Sequence, residues 1–323
     1  MKKIKLLIIV SVFSTLGFAQ QFPLQSQYQF NYPTINPAAV GENDFYRARA
    51  SFREQWVGFG DNNSNAPIST QIFTITKGFE KNGLGLTVFN DKTGGAFSKS
   101  GASVSYSHKV QFEKSSLYFG VAGGFAKINL ENINDPAVLA DDDMIPEVTF
   151  GAYYTYNDFK LGLSIPGLLI ANMELTNSNE NNIKRHFYTM LSYSKKLSED
   201  WSAHPSILVK TTNLNNQIDV NINFKLKNKL WLGTSYRQDF GPTVYVGIDF
   251  GRLLSVYSFD VSTNEMADYS NGSHEFTLGY DFIPDSEVEK REKELIIEGI
   301  DDRDKDGVSD EFDLCPDIAG DHI

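Results

Sequence analysis

The chain has 323 residues, 41% hydrophobic and 13% aromatic, with a formal charge of −12 and one cysteine, Cys315, which excludes an internal disulfide framework. Hydrophobicity at that level excludes a bundle of membrane helices. Pro284 to Ile323 holds fifteen acidic and five basic residues, so −10 of the charge sits in this tail. The near-neutral body has no basic patch, which excludes nucleic acid as a partner.

The first predicted element is a secretory signal peptide over residues 1–19. Lys2, Lys3 and Lys5 form the positive region and Leu6 to Phe18 the apolar run. Gly17-Phe18-Ala19 offers a cleavage site before Gln20. The run is short of the ~20 residues a helical anchor needs. The signal contains no cysteine, so the mature chain is not expected to be a lipoprotein. No later stretch reaches spanning length as a helix, so a membrane location would require strands.

Residues 20–44 read as an irregular segment. Asn36-Pro37 and Gly41 predict turns, and Pro33 and Pro37 argue against a central strand. The segment fits a lumen plug, a periplasmic arm or a plain leader loop.

From residue 45 to residue 283 the sequence alternates apolar and polar residues in segments of about ten, by the period-2 rule. Gln217 to Leu226 is the clearest case. Ile218, Val220, Ile222, Phe224 and Leu226 form one face; Gln217, Asp219, Asn221, Asn223 and Lys225 form the other. Thr243 to Phe250 and Phe276 to Phe282 repeat the pattern, and Ser103 to His108 and Val148 to Tyr156 repeat it more weakly. About fourteen strands follow, starting near 45, 68, 83, 98, 115, 147, 158, 184, 202, 216, 229, 242, 253 and 273. Loops are expected at Asn129 to Pro146 and Ile170 to Asn182.

A soluble β-sandwich and a membrane barrel both alternate. Strand length favours the membrane, because spanning takes about 9–11 tilted residues. The polar face also carries more Asn, Asp, Lys and Gln than a dry core could satisfy. Phe276, Leu278, Tyr280 and Phe282 on the last strand resemble the terminal signal of outer-membrane barrels. The expected fold is all-β, a closed antiparallel transmembrane β-barrel of about fourteen strands, followed by a short acidic calcium-binding segment.

Residues 284–299 read as a charged linker, and residues 300–323 as that segment. Asp302, Asp304, Asp306, Asp310 and Asp313 fall at positions 1, 3, 5, 9 and 12 of a loop, with Gly307 at position 6. Val308 at position 7 would offer its carbonyl oxygen. This spacing wraps hard oxygen ligands around one Ca2+ ion with a structural role. With Leu314-Cys315-Pro316-Asp317 the run resembles a thrombospondin type 3 repeat, as found between outer-membrane barrels and OmpA-like peptidoglycan-binding domains. Such repeats pair the cysteine with a later one, so the natural protein is expected to continue past Ile323.

Nothing points to catalysis. No Gly-x-Ser-x-Gly elbow and no zinc-like His or Cys spacing is present. His108, His186, His204, His274 and His322 are each expected at lumen or turn positions, and the chain is not expected to be an enzyme.

Gln27, Tyr28, Asn31, Asn36, Pro37, Ala38 and Gly41, followed by Arg49, Arg53, Gln55, Trp56, Gly58 and Phe59, resemble the opening of the PorP/SprF family of the type IX secretion system. Ala66-Pro67, Gly83-Leu84-Gly85 and the Asp91 to Gly95 stretch follow in family order, while Tyr32-Pro33 departs from the pattern. The resemblance implies an outer-membrane location, with the C-terminal segment in the periplasm. It implies three kinds of partner: secretion-system components, outer-membrane lipid, and a secreted cargo with a C-terminal sorting domain, such as a gliding adhesin. Peptidoglycan would join them through a missing C-terminal domain. A porin-like channel for small solutes and an OmpA-type structural anchor are the competing readings.

Overall fold

A computed structural model describes residues 23–59, 68–94, 97–130, 142–168, 185–212, 216–263 and 265–284. The expected signal peptide, Ala66-Pro67, all but the first residue of the charged linker and the calcium segment lie outside the described residues, as does most of both expected loops.

Fifteen strand segments form one antiparallel sheet: β1 (Tyr46–Gln55), β2 (Ile68–Gly78), β3 (Asn82–Thr93), β4 (Phe97–Gln111), β5 (Ser115–Leu130), β6 (Asp142–Tyr156), β7 (Phe159–Ile165), β8 (Phe187–Tyr193), β9 (Lys195–Lys196), β10 (Trp201–Thr211), β11 (Asn216–Leu226), β12 (Leu230–Arg237), β13 (Gly241–Asp249), β14 (Leu253–Asp260) and β15 (Ser273–Phe282). β8 and β9 pair with β10 in a single register, Ser192 opposite Ser206 and Lys196 opposite Ser202. They are one stave interrupted at Ser194, whose hydroxyl meets His204 Nδ1 at 3.0 Å. The barrel therefore has fourteen staves, an even number as in bacterial single-chain outer-membrane barrels. β15 pairs with β1 from Phe282 opposite Tyr46 to His274 opposite Glu54, which closes the sheet and leaves no edge.

The alternation is inside out. On β11, Val220 and Ile222 are exposed while Asp219, Asn221 and Asn223 are buried. On β15, Phe276, Leu278, Tyr280 and Phe282 all point outward, and Glu275, Thr277 and Asp281 point inward. A soluble sheet would bury the first set. Here the apolar belt faces lipid and the polar residues fill the lumen.

Two expectations need correction. Strands β4, β5 and β6 run to 15, 16 and 15 residues, longer than the expected ten, and β6 starts at Asp142 rather than near 147. The loop expected from Asn129 to Pro146 is therefore shorter, since Asn129 pairs with Asp142 and Phe125 with Pro146. The ion pair Lys127–Asp142 holds the extended ends, which carry charge suited to water rather than lipid. The second correction concerns histidine. His108 and His274 lie on the outward face, capped by Asn82 Oδ1 at 3.0 Å and Tyr257 Oη at 2.7 Å. Both sit near strand ends, where a ring with a polar tip suits the membrane interface. His204 does face the lumen, between Ser194 and Ser202.

The two ends of the barrel differ. At the end holding Tyr46 and Phe282, every connection is short, such as 157–158 and 227–229. The opposite end carries the longer connections, including 56–67, 166–186 and 261–272.

Candidate functional site: a plugged lumen

Residues 23–44 lie inside the barrel. The chain passes the long-loop half of the lumen at Gln25–Gln27 and leaves at the short-turn end, where Asn43 O accepts from Gly78 N at 2.7 Å. Three 3-10 turns shape it: Tyr28–Phe30, Tyr32–Thr34 and Pro37–Gly41. Proline at the start of the second and third turns presets the backbone and removes a donor that would lack a partner there. The departing Tyr32-Pro33 pair thus falls at a turn start.

The family-like residues of the plug make many of the contacts that hold it. Gln27 Nε2 donates to Ser258 Oγ at 2.9 Å and to the carbonyl of Glu275 at 2.7 Å. Tyr28 is 1% exposed, and its hydroxyl accepts from Asn221 Nδ2 at 2.6 Å. Asn31 Oδ1 accepts from Thr74 Oγ1 at 3.0 Å. Asn36 caps the third turn, accepting from Ala38 N at 3.0 Å, and its Nδ2 donates to the Ala152 carbonyl at 3.0 Å and that of Leu163 at 3.2 Å. Ala38 and Ala39 pack with Tyr118, Tyr153 and Met190 in an apolar cluster between plug and wall.

The wall is cut to receive this turn. A Cβ on Gly83 would strike the backbone of Gly41, and one on Gly120 would strike the backbone nitrogen of Ala38. A Cβ on Gly151 would strike Asn36 Oδ1. Glycine at these wall positions lets plug and strand backbones approach more closely than any side chain permits.

Near the long-loop end, buried charges clamp the first plug residues. Glu275 is 1% exposed and accepts from Ser26 N at 2.7 Å and Gln27 N at 3.2 Å. Arg53 bridges Asp260 at 2.6 Å and Glu275 at 3.3 Å. Arg237 pairs with Asp219 at 2.9 Å and donates to the Gln25 carbonyl at 2.6 Å. Tyr245 Oη donates to the Ser26 carbonyl at 2.9 Å. Buried pairs of this kind hold only when their remaining hydrogen-bonding capacity is met. Here the plug backbone meets part of it. A second set, Arg47 and Arg49 on Asp281 at 2.9 and 2.7 Å, lies near the short-turn end.

The sequence shows Arg53 as a motif residue and Asp219 as one polar-face residue among several; the anchoring role of both, and of Glu275, Asp260 and Arg237, appears only in the structure. Their signal was charge at inward parity on apolar-alternating strands. The remaining motif, Gln55-Trp56-Val57-Gly58-Phe59, follows β1 at the long-loop end. Trp56 and Gly58 take positive φ (53° and 85°), turning the chain so that Val57 exchanges backbone bonds with Gly272 and Asn271 at 2.8 and 2.7 Å. Among the described residues, no group of three His, Cys, Asp or Glu is placed to hold a metal. Asp302, Asp304, Asp306, Val308, Asp310 and Asp313 lie outside them.

Residues 17–280 match the family described as type IX secretion system membrane protein PorP/SprF. The chain belongs to the PorP/SprF family. This PorP/SprF chain is therefore a type IX secretion outer-membrane protein, and its family supports association with components of that system. No curated protein matches it. Among solved structures it is similar to the Ralstonia pickettii toluene transporter TbuX (TM-score 0.53, 10% identity, covering 82% of this chain and 95% of that one). It is also similar to a TodX monoaromatic hydrocarbon channel mutant (TM-score 0.52, 11% identity, 82% and 96% covered). These likenesses show a shared barrel fold.

Proposed function

We propose that this PorP/SprF protein binds a secreted surface protein and anchors it or assists its export, by protein binding rather than chemistry. The cargo would be a large protein with a C-terminal sorting domain, such as an adhesin used in gliding. The observation that carries this reading is the filled lumen. Many hydrogen bonds and buried ion pairs hold residues 23–44 across the barrel, which suits a rigid receptor better than an open pore. Membrane barrels place longer loops outside the cell and short turns in the periplasm. The long-loop end would then meet cargo.

On the same orientation β15 ends on the periplasmic side, and the acidic segment would follow it there. Asp302, Asp304, Asp306, Asp310 and Asp313 with the Val308 carbonyl would hold Ca2+ and stiffen a spacer towards peptidoglycan, an OmpA-type anchoring role that is compatible with cargo binding. A second reading, a channel for small solutes, is favoured by the likeness to TbuX and TodX, a transporter and a channel.

Deleting the gene and quantifying surface and secreted proteins tests the main reading. Loss of one or a few cargo proteins, with general type IX secretion intact, is the expected result. An unchanged surface proteome would sink it.

A further inference from the structure

The outer wall carries an open groove of about 420 Å3 where β15, β1, β2 and β3 run side by side. Ala50, Phe52, Phe73, Val88, Phe276 and Leu278 line it with side chains that face lipid. Phe73, Val88 and Leu278 lie level with Ala50 across the strands, so the alanine methyl is a low point among larger groups. An apolar cavity of about 150 Å3 holds a benzene ring. This groove is well over twice that size and has room for an acyl chain.

Polar groups stand at one end of the groove, where an ordinary lipid-facing belt carries none. Gln71 and Asn90 line it one row beyond Phe73 and Val88. Asn90 Nδ2 donates to Gln71 Oε1 at 2.7 Å, and Gln71 Nε2 donates to Ser69 Oγ at 3.2 Å. Each amide nitrogen keeps a second N–H for another acceptor. Ser69, 7% exposed, sits one row further on between Glu54 of β1 and Lys92 of β3. Glu54 and Lys92 are two strand spacings apart, roughly 10 Å between backbones. Neither enters an ion pair among the described residues. His274, on the far side of Glu54, is held by Tyr257 Oη at 2.7 Å.

Depth orders these groups as a lipid is ordered. Lys77, over the rings of Tyr46 at 4.4 Å and Phe79 at 5.0 Å, marks the edge of the belt at the short-turn end. A strand tilted about 40° climbs roughly 2.6 Å per residue. Gln71 then lies about 16 Å above Lys77 and Ser69 about 21 Å, in a belt about 25 Å tall. The amides are inside the leaflet at the long-loop end, and the Glu54, Ser69 and Lys92 row is at its polar boundary.

We propose that this wall binds one glycerophospholipid with a phosphoethanolamine head. Its acyl chain fills the groove, and its ester carbonyl accepts from Gln71 and Asn90. Its phosphate meets Lys92 and its ammonium meets Glu54, each by a charge-assisted hydrogen bond. A purely anionic head gains Lys92 but is repelled by Glu54, so the row selects a zwitterion. The site lies on the outer wall and does not rest on the cargo reading.

Native mass spectrometry of the delipidated full chain in detergent, titrated with dioleoyl phosphatidylethanolamine or dioleoyl phosphatidylglycerol, tests it. The expected result is a single saturable phosphatidylethanolamine adduct, bound roughly tenfold or more tighter than phosphatidylglycerol. Glu54→Gln should remove that preference, and Lys92→Met should weaken both lipids. Ala50→Phe fills the groove with both charges intact and should weaken both as well. Val220→Phe, on the lipid face of β11, should change neither. Heat-dependent gel migration confirms that each variant remains a folded barrel. Equal binding of the two lipids to the wild type, a preference that survives Glu54→Gln, or phosphatidylethanolamine binding unchanged in Lys92→Met or Ala50→Phe would each overturn the proposal. So would the mass of a dimer in place of a lipid adduct, which would give the groove to a second copy of the chain.

Discussion

Replacing Glu275 by Gln should loosen the plug at its long-loop end without unfolding the barrel. The carboxylate accepts from two plug amides, Ser26 N at 2.7 Å and Gln27 N at 3.2 Å, and from Arg53 at 3.3 Å. A glutamine keeps the shape but sets an amino group against one of these donors. A hydrogen bond to a charged group contributes about 1.5–3 kcal/mol. Removing one partner of a buried ion pair costs about 3–5 kcal/mol. Arg53 keeps Asp260 at 2.6 Å, so the lower part of that range applies. A loss of roughly 3 kcal/mol corresponds to about a hundredfold. Hydrogen–deuterium exchange of the full protein, read on the peptide covering residues 23–30, should accelerate by that order at Ser26 and Gln27. Exchange in β4 and β5 should not change. An unchanged rate at Ser26 and Gln27 in a folded variant would refute the claim that Glu275 anchors the plug.

Three further outcomes are expected. Gly120→Val drives side-chain atoms into the backbone of Ala38 and should lower the urea midpoint by an amount equivalent to ~1–3 kcal/mol, whereas Gly123→Ala, which meets nothing within 4 Å, should stay within ~0.5 kcal/mol of wild type. Val246→Arg puts a charge on the lipid face mid-strand on β13 and should cost ~2–4 kcal/mol on folding into vesicles, measured by equilibrium titration. If the tail binds calcium, Asp306→Asn should weaken Ca2+ binding by roughly tenfold or more in calorimetry of the intact chain, and a wild-type chain without Ca2+ affinity would remove that assignment.

Much of the wall was legible because lipid enforces a strict rule. Every spanning strand must alternate, so Ile218 to Leu226 and Phe276 to Phe282 declared both their period and their outward face. Strand ends near water were less legible. Beyond the lipid boundary nothing forces alternation, and Asp142 to Pro146 reads as loop although it pairs with β5. The plug was legible as irregular chain, but its place was not. Pro33, Pro37 and Gly41 announce turns without saying what the turns touch. The information that places it is divided between partners distant in sequence: Asn36 carries the amide, and Gly151 supplies the absence of a side chain. Likewise Glu275 looks like any lumen carboxylate until Ser26 and Gln27 are brought to it from 248 residues or more away.

The central claim is that a plugged barrel acts as a receptor for a secreted protein. Mild crosslinking of intact cells, detergent extraction of the outer membrane and mass spectrometry of what co-purifies with the barrel test it most directly. The account predicts one large secreted protein bearing a C-terminal sorting domain, in near-equal amount, with its crosslinks on the long-loop end. Recovery of the barrel alone, together with steady ion conductance of the wild-type protein in a planar bilayer, would contradict it and make the solute channel the better reading.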